Sequence, residues 1–417
     1  MQSKFDYIKN NSPQALLSLI IISSYFLGFL FNENSSGGAL PDFNVHLVSL
    51  SHLEDGLNSF LTNYKNYRNT HSPVYIIFLD LINLEKNLLI TRFNYTLICL
   101  LLPFFFYKCL KIKFSHINKN ILLYLSLFFF ISPYFRSLAF WPGDENLALI
   151  FFVLSIFYYL KFDKKNNKEI KYLSLNILFL AIASYVRPIY CIFSLFFFYT
   201  MVISNFSIKK LFLSVVLNLT LAFPAFYYVI IQENFFFIKH IDENINLITS
   251  FGFTYSMIFF YLLPFIFIIR KIEKISIINL LFGIIFLILF YYFFKYEQVT
   301  GGGFFYNLSI NIFKSKIVFY LMLFLSIILV NSNFELKNKK NIILFLTLFF
   351  LELDSYFYQE SFDPLLIVLF ILMFELKIIQ NFFNNLNYGK INLLFFYLFL
   401  FLVASIVKNH NLISFNV

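Results

Sequence analysis

The residues best suited to chemistry stand where apolar runs meet polar loops. The stretch "SSGGALPDFNVHLVSL", Ser35 to Leu50, directly follows the apolar run Ala15 to Phe31 and carries Asp42, Asn44 and His46. A second stretch, "RSLAFWPGDENLAL", holds Arg136, the single tryptophan Trp141, and the pair Asp144 and Glu145. A third, "SYVRPIY", holds Arg187. Ionisable groups near hydrocarbon cost roughly 2.5–3.5 kcal/mol each on insertion scales, and carboxylates escape that cost by standing in water. For a single acid, a solvated loop charge is therefore a plainer explanation than catalysis. Asp42 and Asp144 rise above it because each lies within a few residues of the outer end of an apolar run, where the backbone is anchored. Arg136 and Arg187 occupy otherwise apolar surroundings at the same level. That suits a lipid-linked phosphate, because guanidinium forks match phosphate oxygens.

Other polar groups gather nearby. Asp42 and His46 are four apart and share a face if Pro41 opens a helix. His46, His52, Glu54 and Asp55 could together hold a divalent cation, yet their spacing matches no compact ligand motif. The metal stays unknown. His71 in "HSPVYIIFLDLINL", Asp242 and Glu243 in "IDEN", and Glu360 and Asp363 in "DSYFYQESFDPLL" add to the same polar set. The run Gly301 to Gly303 is no phosphate loop, since no Lys-Ser/Thr follows it. It is expected to be a flexible external loop, able to cover a site. Cys99, Cys109 and Cys191 show no paired spacing and read as small apolar residues, neither a disulfide framework nor a metal site.

These groups must be positioned by membrane-crossing helices. The chain of 417 residues is 60% hydrophobic and 13% charged, with mean hydropathy +0.76. No soluble domain buries that much apolar surface, and runs of near-membrane length recur from end to end, so the chain reads as an all-α polytopic membrane protein. The first run lacks a small-residue cleavage site and is expected to stay as a helix. The net charge of +10 points to no nucleic-acid partner, because its distribution matters more than its total. Lys and Arg cluster between apolar runs: Lys4 and Lys9; Lys108 to Lys119; Lys161 to Lys171; Lys209 and Lys210; Arg270, Lys271 and Lys274; Lys337 to Lys340; Lys377 and Lys390. With all of them in the cytoplasm, as the positive-inside rule asks, about 13 spans alternate without conflict. The segments so assigned to the cytoplasm hold 21 of the 32 Lys and Arg but 6 of the 22 Asp and Glu, so one face is basic and the other acidic. The N-terminus is then cytoplasmic and the C-terminus external.

The segment His71 to Leu84 is apolar but too short to cross about 30 Å of hydrocarbon at 1.5 Å per residue, and Asp80 interrupts it. It is expected to lie at the outer interface, which makes residues 32–91 one external loop with helical pieces. Leu50, Leu53, Leu57 and Leu61 recur there at helical spacing, which suits an amphipathic helix on the membrane surface. Residues 136–146 form the second external loop, and residues 1–417 a single transmembrane domain.

The order of parts resembles the GT-C superfamily of integral-membrane glycosyltransferases, such as the protein O-mannosyltransferases, the aminoarabinose transferases and the dolichol-linked glucosyltransferases. A first span leads to a loop opening on an acid, then to amphipathic helices and a small-Pro-x-Tyr segment, Ser72-Pro73-Val74-Tyr75. Thr91-Arg92-Phe93 enters the second span, and Gly143-Asp144-Glu145-Asn146 follows the third. The likeness is best over roughly residues 13–205 and topological beyond. It implies amphipathic external helices over a helical bundle. It also implies inverting transfer of a sugar from a polyprenyl-phosphate donor to a lipid, glycan or protein acceptor on the non-cytoplasmic face. By position, Asp42 matches the family's first-loop acid, which acts as base or aids the acceptor and metal. Asp144, or Glu145 beside it, matches the second-loop acid. Arg136 and Arg187 are the candidates for the donor phosphate, and His71, Tyr75 and Glu360 complete the expected substrate contacts. Asp42 is followed by Phe43 and Asn44, so a second first-loop acid must come from Glu54, Asp55 or Asp80, which leaves a divalent cation open.

Two rivals predict other patterns. A lipid-linked glycan flippase or transporter would show repeated halves and ionisable or Gly/Pro-broken residues near midspan; here the charges gather on the external face. A polysaccharide polymerase or ligase of another membrane fold would carry its key residues in a large late loop, whereas the first external loop is the longest. A compact chain without lumenal domains points to a bacterial inner membrane rather than the endoplasmic reticulum.

Overall fold

The computed structural model describes residues 2–67, 71–83, 86–164, 169–203, 207–232, 246–269, 275–296, 301–334, 338–351 and 357–409, apart from the side chains of 2–12, 65, 231 and 232. Asp242, Glu243, Arg270, Lys271, Lys274 and Lys337 lie outside the described residues, as do the side chains of Lys4 and Lys9. Every regular element described is helical, with no strand among the described residues. Seven of the described helices are long and apolar enough to cross a membrane, or eight if the bent pair Lys119–Ile131 and Pro133–Phe140 counts as one. The chain is thus an all-α, multi-pass membrane protein.

The first half opens with α1 (Gln2–Leu30). Three short helices, α2 (Ala39–Ser51), α3 (Leu57–Asn63) and α4 (Pro73–Ile82), fill the expected first loop. Then α5 (Leu88–Cys99) runs into α6 (Leu101–Lys113). After α7 (Lys119–Leu125) and a tight turn to Ile131, Ser132-Pro133 bends the chain by 68° into α8 (Pro133–Phe140). The expected loop 136–146 is therefore mostly helix, with only Trp141 to Gly143 between α8 and α9 (Asp144–Lys164). The pair α9 (Asp144–Lys164) and α10 (Ile170–Val186) forms an antiparallel hairpin, followed by α11 (Phe193–Ile203) and α12 (Ile208–Tyr227).

In the second half, helix Leu247–Ile269 is buried on nearly all sides. It packs against helices Ile277–Phe293, Lys316–Asn333, Lys377–Asn384 and Tyr388–Asn409. A helix apolar all round is a core or membrane helix. The opposite case is α12, also apolar, of which only Ser214 is buried; such a surface is satisfied by hydrocarbon, not water.

The two ends of the bundle differ in kind. At one end Lys113 donates to the carbonyl of Leu372 (3.0 Å), Lys164 to that of Ile112 (3.3 Å), and Lys340 pairs with Glu375 (3.0 Å). At the other, the segment after α1 is fastened by Ser35 Oγ donating to the Pro133 carbonyl (2.8 Å) and by Asn409 Nδ2 donating to the Ser35 carbonyl (2.7 Å).

Three expectations change here. The spacing of Leu50, Leu53, Leu57 and Leu61 does not mark one amphipathic helix: Gly56, at φ +94°, breaks it into α2 and α3. Leu50, Leu53 and Leu61 still pack on the core while Leu57 is exposed. The Gly301–Gly303 turn is wedged rather than flexible. All three glycines have positive φ, and the Gly302 amide donates to the Phe357 carbonyl at 2.8 Å. A Cβ on Gly301 would stand 2.6 Å from that same oxygen. Finally, the histidine–acid set His46, His52, Glu54 and Asp55 is pulled apart: His46 is buried, His52 stacks on Tyr67 at 4.0 Å, and Glu54 reaches out to Lys86.

Candidate functional site

Arg187 owes its position to the residue after it. Proline disfavours helical backbone in its predecessor, so Pro188 ends α10 and leaves Arg187 extended at φ −135°, ψ 106°, with its amide still donating to the Ala183 carbonyl at 2.9 Å. The hairpin returns this arginine to the first turn of α9, because 21 residues run one way and 17 the other at about 1.5 Å each. A polar clasp locks the two helices: Asn176 Nδ2 donates to the Ser155 carbonyl and hydroxyl (3.0 and 2.8 Å), and Ser155 Oγ donates back to the Asn176 carbonyl (3.0 Å). In apolar surroundings such groups must satisfy one another. Arg187 Nη1 is accordingly ion-paired with Glu145 and stands 3.8 Å from Asp144 Oδ1. The helix N-terminus adds favourable dipole to both acids.

His71 is brought in from the other side. Ser72 caps α4 by accepting from the Val74 amide, Pro73 takes the first helical position, and Ser72 Oγ donates to the Tyr185 carbonyl at 2.5 Å, two residues before Arg187. Tyr64 Oη donates to the His71 carbonyl (2.7 Å). His71 Nδ1 then lies 3.4 Å from Asp144 Oδ2. Burial works against a charge on His71, but the carboxylate of Asp144 outweighs it, with help from Glu145, and the imidazole is raised above its ordinary range. His46, four residues after Asp42 on α2, packs edge-on against both His71 (4.5 Å) and Tyr75 (4.9 Å). Burial, reinforced by His71, lowers it to about 3, so it is a neutral ring.

Asp42 sits in the first turn of α2, as an acid should. Burial raises its carboxyl above the ordinary range; His71 pulls it back, Asp144 pushes it further up, and Arg187 pulls it down again. The acid therefore senses all three groups. Asp42 Oδ2 and Glu360 Oε2 each lie 3.7 Å from the place a Cβ would take on Gly38, so the two carboxylates are at most twice that distance apart. Beside them opens a narrow cleft. Its polar wall is Glu145, Arg187, Glu360, Ser361 and Asp363, and its apolar wall includes Leu149, Ile189, Leu351 and Leu365.

Asp42, His71, Tyr75, Asp144, Glu145, Arg187 and Glu360 are thus gathered at one end of the bundle. Arg136 is not among them. Its guanidinium is 4% exposed and holds Glu33, the Ser24 carbonyl (2.9 Å) and the Phe130 carbonyl (2.9 Å), bracing α8 against α1. The sequence offered no way to tell the two arginines apart. Glu33 itself was missed, although it carries the same mark as Asp42, an acid just past an apolar run. Ser361 was also missed, being a neutral residue with no signal; it accepts from Arg187 Nη2 at 3.0 Å. Asp363 takes Ser132 Oγ and the Tyr134 amide on Oδ2 (2.5 and 3.4 Å), and burial raises it to about 6.

Buried polar atoms with no hydrogen-bond partner among the described residues converge on this spot: Asp144 Oδ1, Tyr75 Oη and His46 Nδ1. Such atoms are rare in native structures and mark places where a ligand or water belongs. Among the described residues no group of three or more His, Cys, Asp or Glu is disposed to hold a metal ion. With His71 turned onto Asp144 and His46 packed in the interior, these donors do not assemble a cation site. What the arrangement can do is accept a proton at Asp42 and bind an anion at Arg187, with Asp144 held as a carboxylate between His71 and Arg187. Comparison with known proteins adds no relative: no family model, no curated protein and no solved structure matches the chain.

Proposed function

We propose that the protein is a membrane glycosyltransferase of the GT-C kind, moving a sugar from a polyprenyl-phosphate donor to a lipid, glycan or protein acceptor. The observation that carries this is the meeting of Asp42, His71, Asp144, Glu145 and Arg187, from separate segments, beside a cleft with one apolar wall at one end of a helical bundle. The acceptor hydroxyl attacks the anomeric carbon and gives its proton to Asp42 while the carbon–oxygen bond to the phosphate breaks. A base whose affinity for protons is raised by burial, as at Asp42, is better matched to neutral pH. The negative charge gathering on the departing phosphate is met by Arg187. A lipid-linked donor gives a reason for the catalyst to be embedded in a bilayer.

The same proposal sets the topology. The expected 13 crossings are reached by adding the shorter apolar helices Ile170–Val186, Pro188–Ile203 and Ile277–Phe293, the bent pair, and two apolar segments of which helices Lys339–Phe349 and Leu365–Leu372 are only the regular part, their non-helical flanks completing the span. The lysine-rich end then faces the cytoplasm and the site opens on the opposite face of a bacterial inner membrane. The test is to compare lipid-linked glycans from cells making the wild type or Asp42→Asn, with insertion checked by membrane fractionation. Loss of one glycosylated product is expected; unchanged glycans with a normally inserted variant would sink the assignment.

A further inference from the structure

The Arg187 guanidinium is already engaged by an anion of the protein's own. Nη1 is paired with Glu145, and Nη2 donates to Ser361 Oγ at 3.0 Å. One edge of the fork thus holds two oxygens side by side, one from the first turn of α9 and one from the late segment Gln359–Ser361. Two oxygens on one guanidinium edge is the bidentate pattern by which arginine takes a phosphate. The cleft wall continues from these atoms into apolar side chains, Leu149, Ile189 and Leu365, where an isoprenoid stem would lie. Around the arginine the balance is against an added anion, since Asp144, Glu145, Glu360 and Asp363 all stand at or beside the cleft.

We infer that Arg187 and Ser361 form a site for a prenyl-linked phosphate, a diester in the sugar donor and a monoester in the released carrier, for which the carboxylate of Glu145 competes, so that the phosphate binds by displacing Glu145 from Arg187. Glu145 is then a specificity gate, not the proton acceptor: it holds the arginine against small anions, and a ligand that also fills the apolar wall overcomes it. The inference rests on the donor being a phosphate, as in the function proposed above. It adds that the late segment bearing Ser361 belongs to the donor site.

The test titrates purified full-length protein in detergent with citronellyl phosphate and, in parallel, with inorganic phosphate, binding being read by calorimetry. Glu145→Gln, or Glu145→Ala if that variant purifies better, is expected to bind citronellyl phosphate about tenfold or more tightly than wild type. Ser361→Ala is expected to weaken it several-fold, and Arg187→Gln to remove it in the wild-type and Glu145→Gln backgrounds alike. Inorganic phosphate is expected to gain by a similar factor while binding more weakly than citronellyl phosphate to every variant, which assigns the site to a lipid phosphate. Equal affinity of Glu145→Gln for the two ligands would mean that the anion alone is recognised and would overturn the role of the apolar wall. Binding of citronellyl phosphate that Glu145→Gln leaves unchanged or weaker overturns the gate while leaving the phosphate donor standing. No binding of either ligand by wild type or variants overturns both.

Discussion

At the scale of single residues, the same side-chain type does opposite work depending on what it is buried against. Arg136 and Arg187 look alike in sequence, but Arg136 is closed off by Glu33 and backbone carbonyls, whereas Arg187 faces a cleft. Asp363 is a third case: its carboxyl lies at 2% exposure against the Ser132 hydroxyl, the Tyr134 amide and the Tyr261 hydroxyl. Burial raises it to about 6 from 3.8, so the folded protein keeps a proton that the unfolded chain has lost. Stability then falls as pH rises from about 4 through about 6, and the ionised group is a burden above that. Asp363→Asn keeps the shape and an acceptor for the Tyr134 amide while removing the charge. It is expected to be more stable than wild type at pH 7.5 by on the order of 1–3 kcal/mol. The gain should fade by pH 4.5. Apparent Tm of both proteins across this range is the measurement, and a variant less stable than wild type at pH 7.5 contradicts the account.

At the scale of elements, what positions the site is a small number of chain breaks. Pro188 ends α10, Ser72-Pro73 starts α4, and Ser132-Pro133 bends the third apolar segment. The first two are readable in sequence because a proline acts on its immediate neighbours, and a short helix after Ser72-Pro73 was expected where α4 lies. The break at Gly56 and the packed Gly301–Gly303 turn were not readable, because a glycine's role depends on what approaches it from elsewhere in the chain. Phe357, which closes on Gly301, is 56 positions away; the Arg136 partner Glu33 is 103 away. Asp42, Asp144 and Arg187 were legible for another reason: each sits at the edge of an apolar run, and antiparallel helices of similar length bring such edges together. Gly301→Ala tests the packed turn. At φ +82° with a carbonyl 2.6 Å from the new methyl, it should cost about 1–3 kcal/mol. Gly389→Ala is the control, since its nearest new contact is an ordinary 3.4 Å from Asn387. Equal apparent Tm values for the two variants would show that the turn is looser than the structure has it.

At the scale of the whole molecule, the charge pattern and the packing describe the same polarity by independent routes. The lysines that sequence assigns to one face meet at one end of the bundle, where Lys113, Lys164 and Lys340 reach backbone carbonyls or Glu375. The acids and Arg187 meet at the other. Length and composition alone leave the number of crossings between seven and the proposed 13, since helix Ile277–Phe293, at 17 residues, falls just short of a membrane-length span. Packing bears on it: Asn279 Nδ2 donates to Ser332 Oγ (3.1 Å) near one end of this helix, while just past its other end the Phe294 ring lies 5.6 Å from Lys316 Nζ. The helix therefore runs the length of its antiparallel neighbour Lys316–Asn333, and its two ends should be on opposite sides of the bilayer. Single cysteines at exposed positions decide it, in a background with Cys99, Cys109 and the exposed Cys191 replaced by serine or alanine. Asn44→Cys and Lys314→Cys should react with a membrane-impermeant maleimide added to intact spheroplasts. His116→Cys and Ser276→Cys should react only after permeabilisation. Labelling of Ser276→Cys and Lys314→Cys from the same side would mean that Ile277–Phe293 does not cross, and the alternation that places the acidic end outside would have to be redrawn from that helix onward.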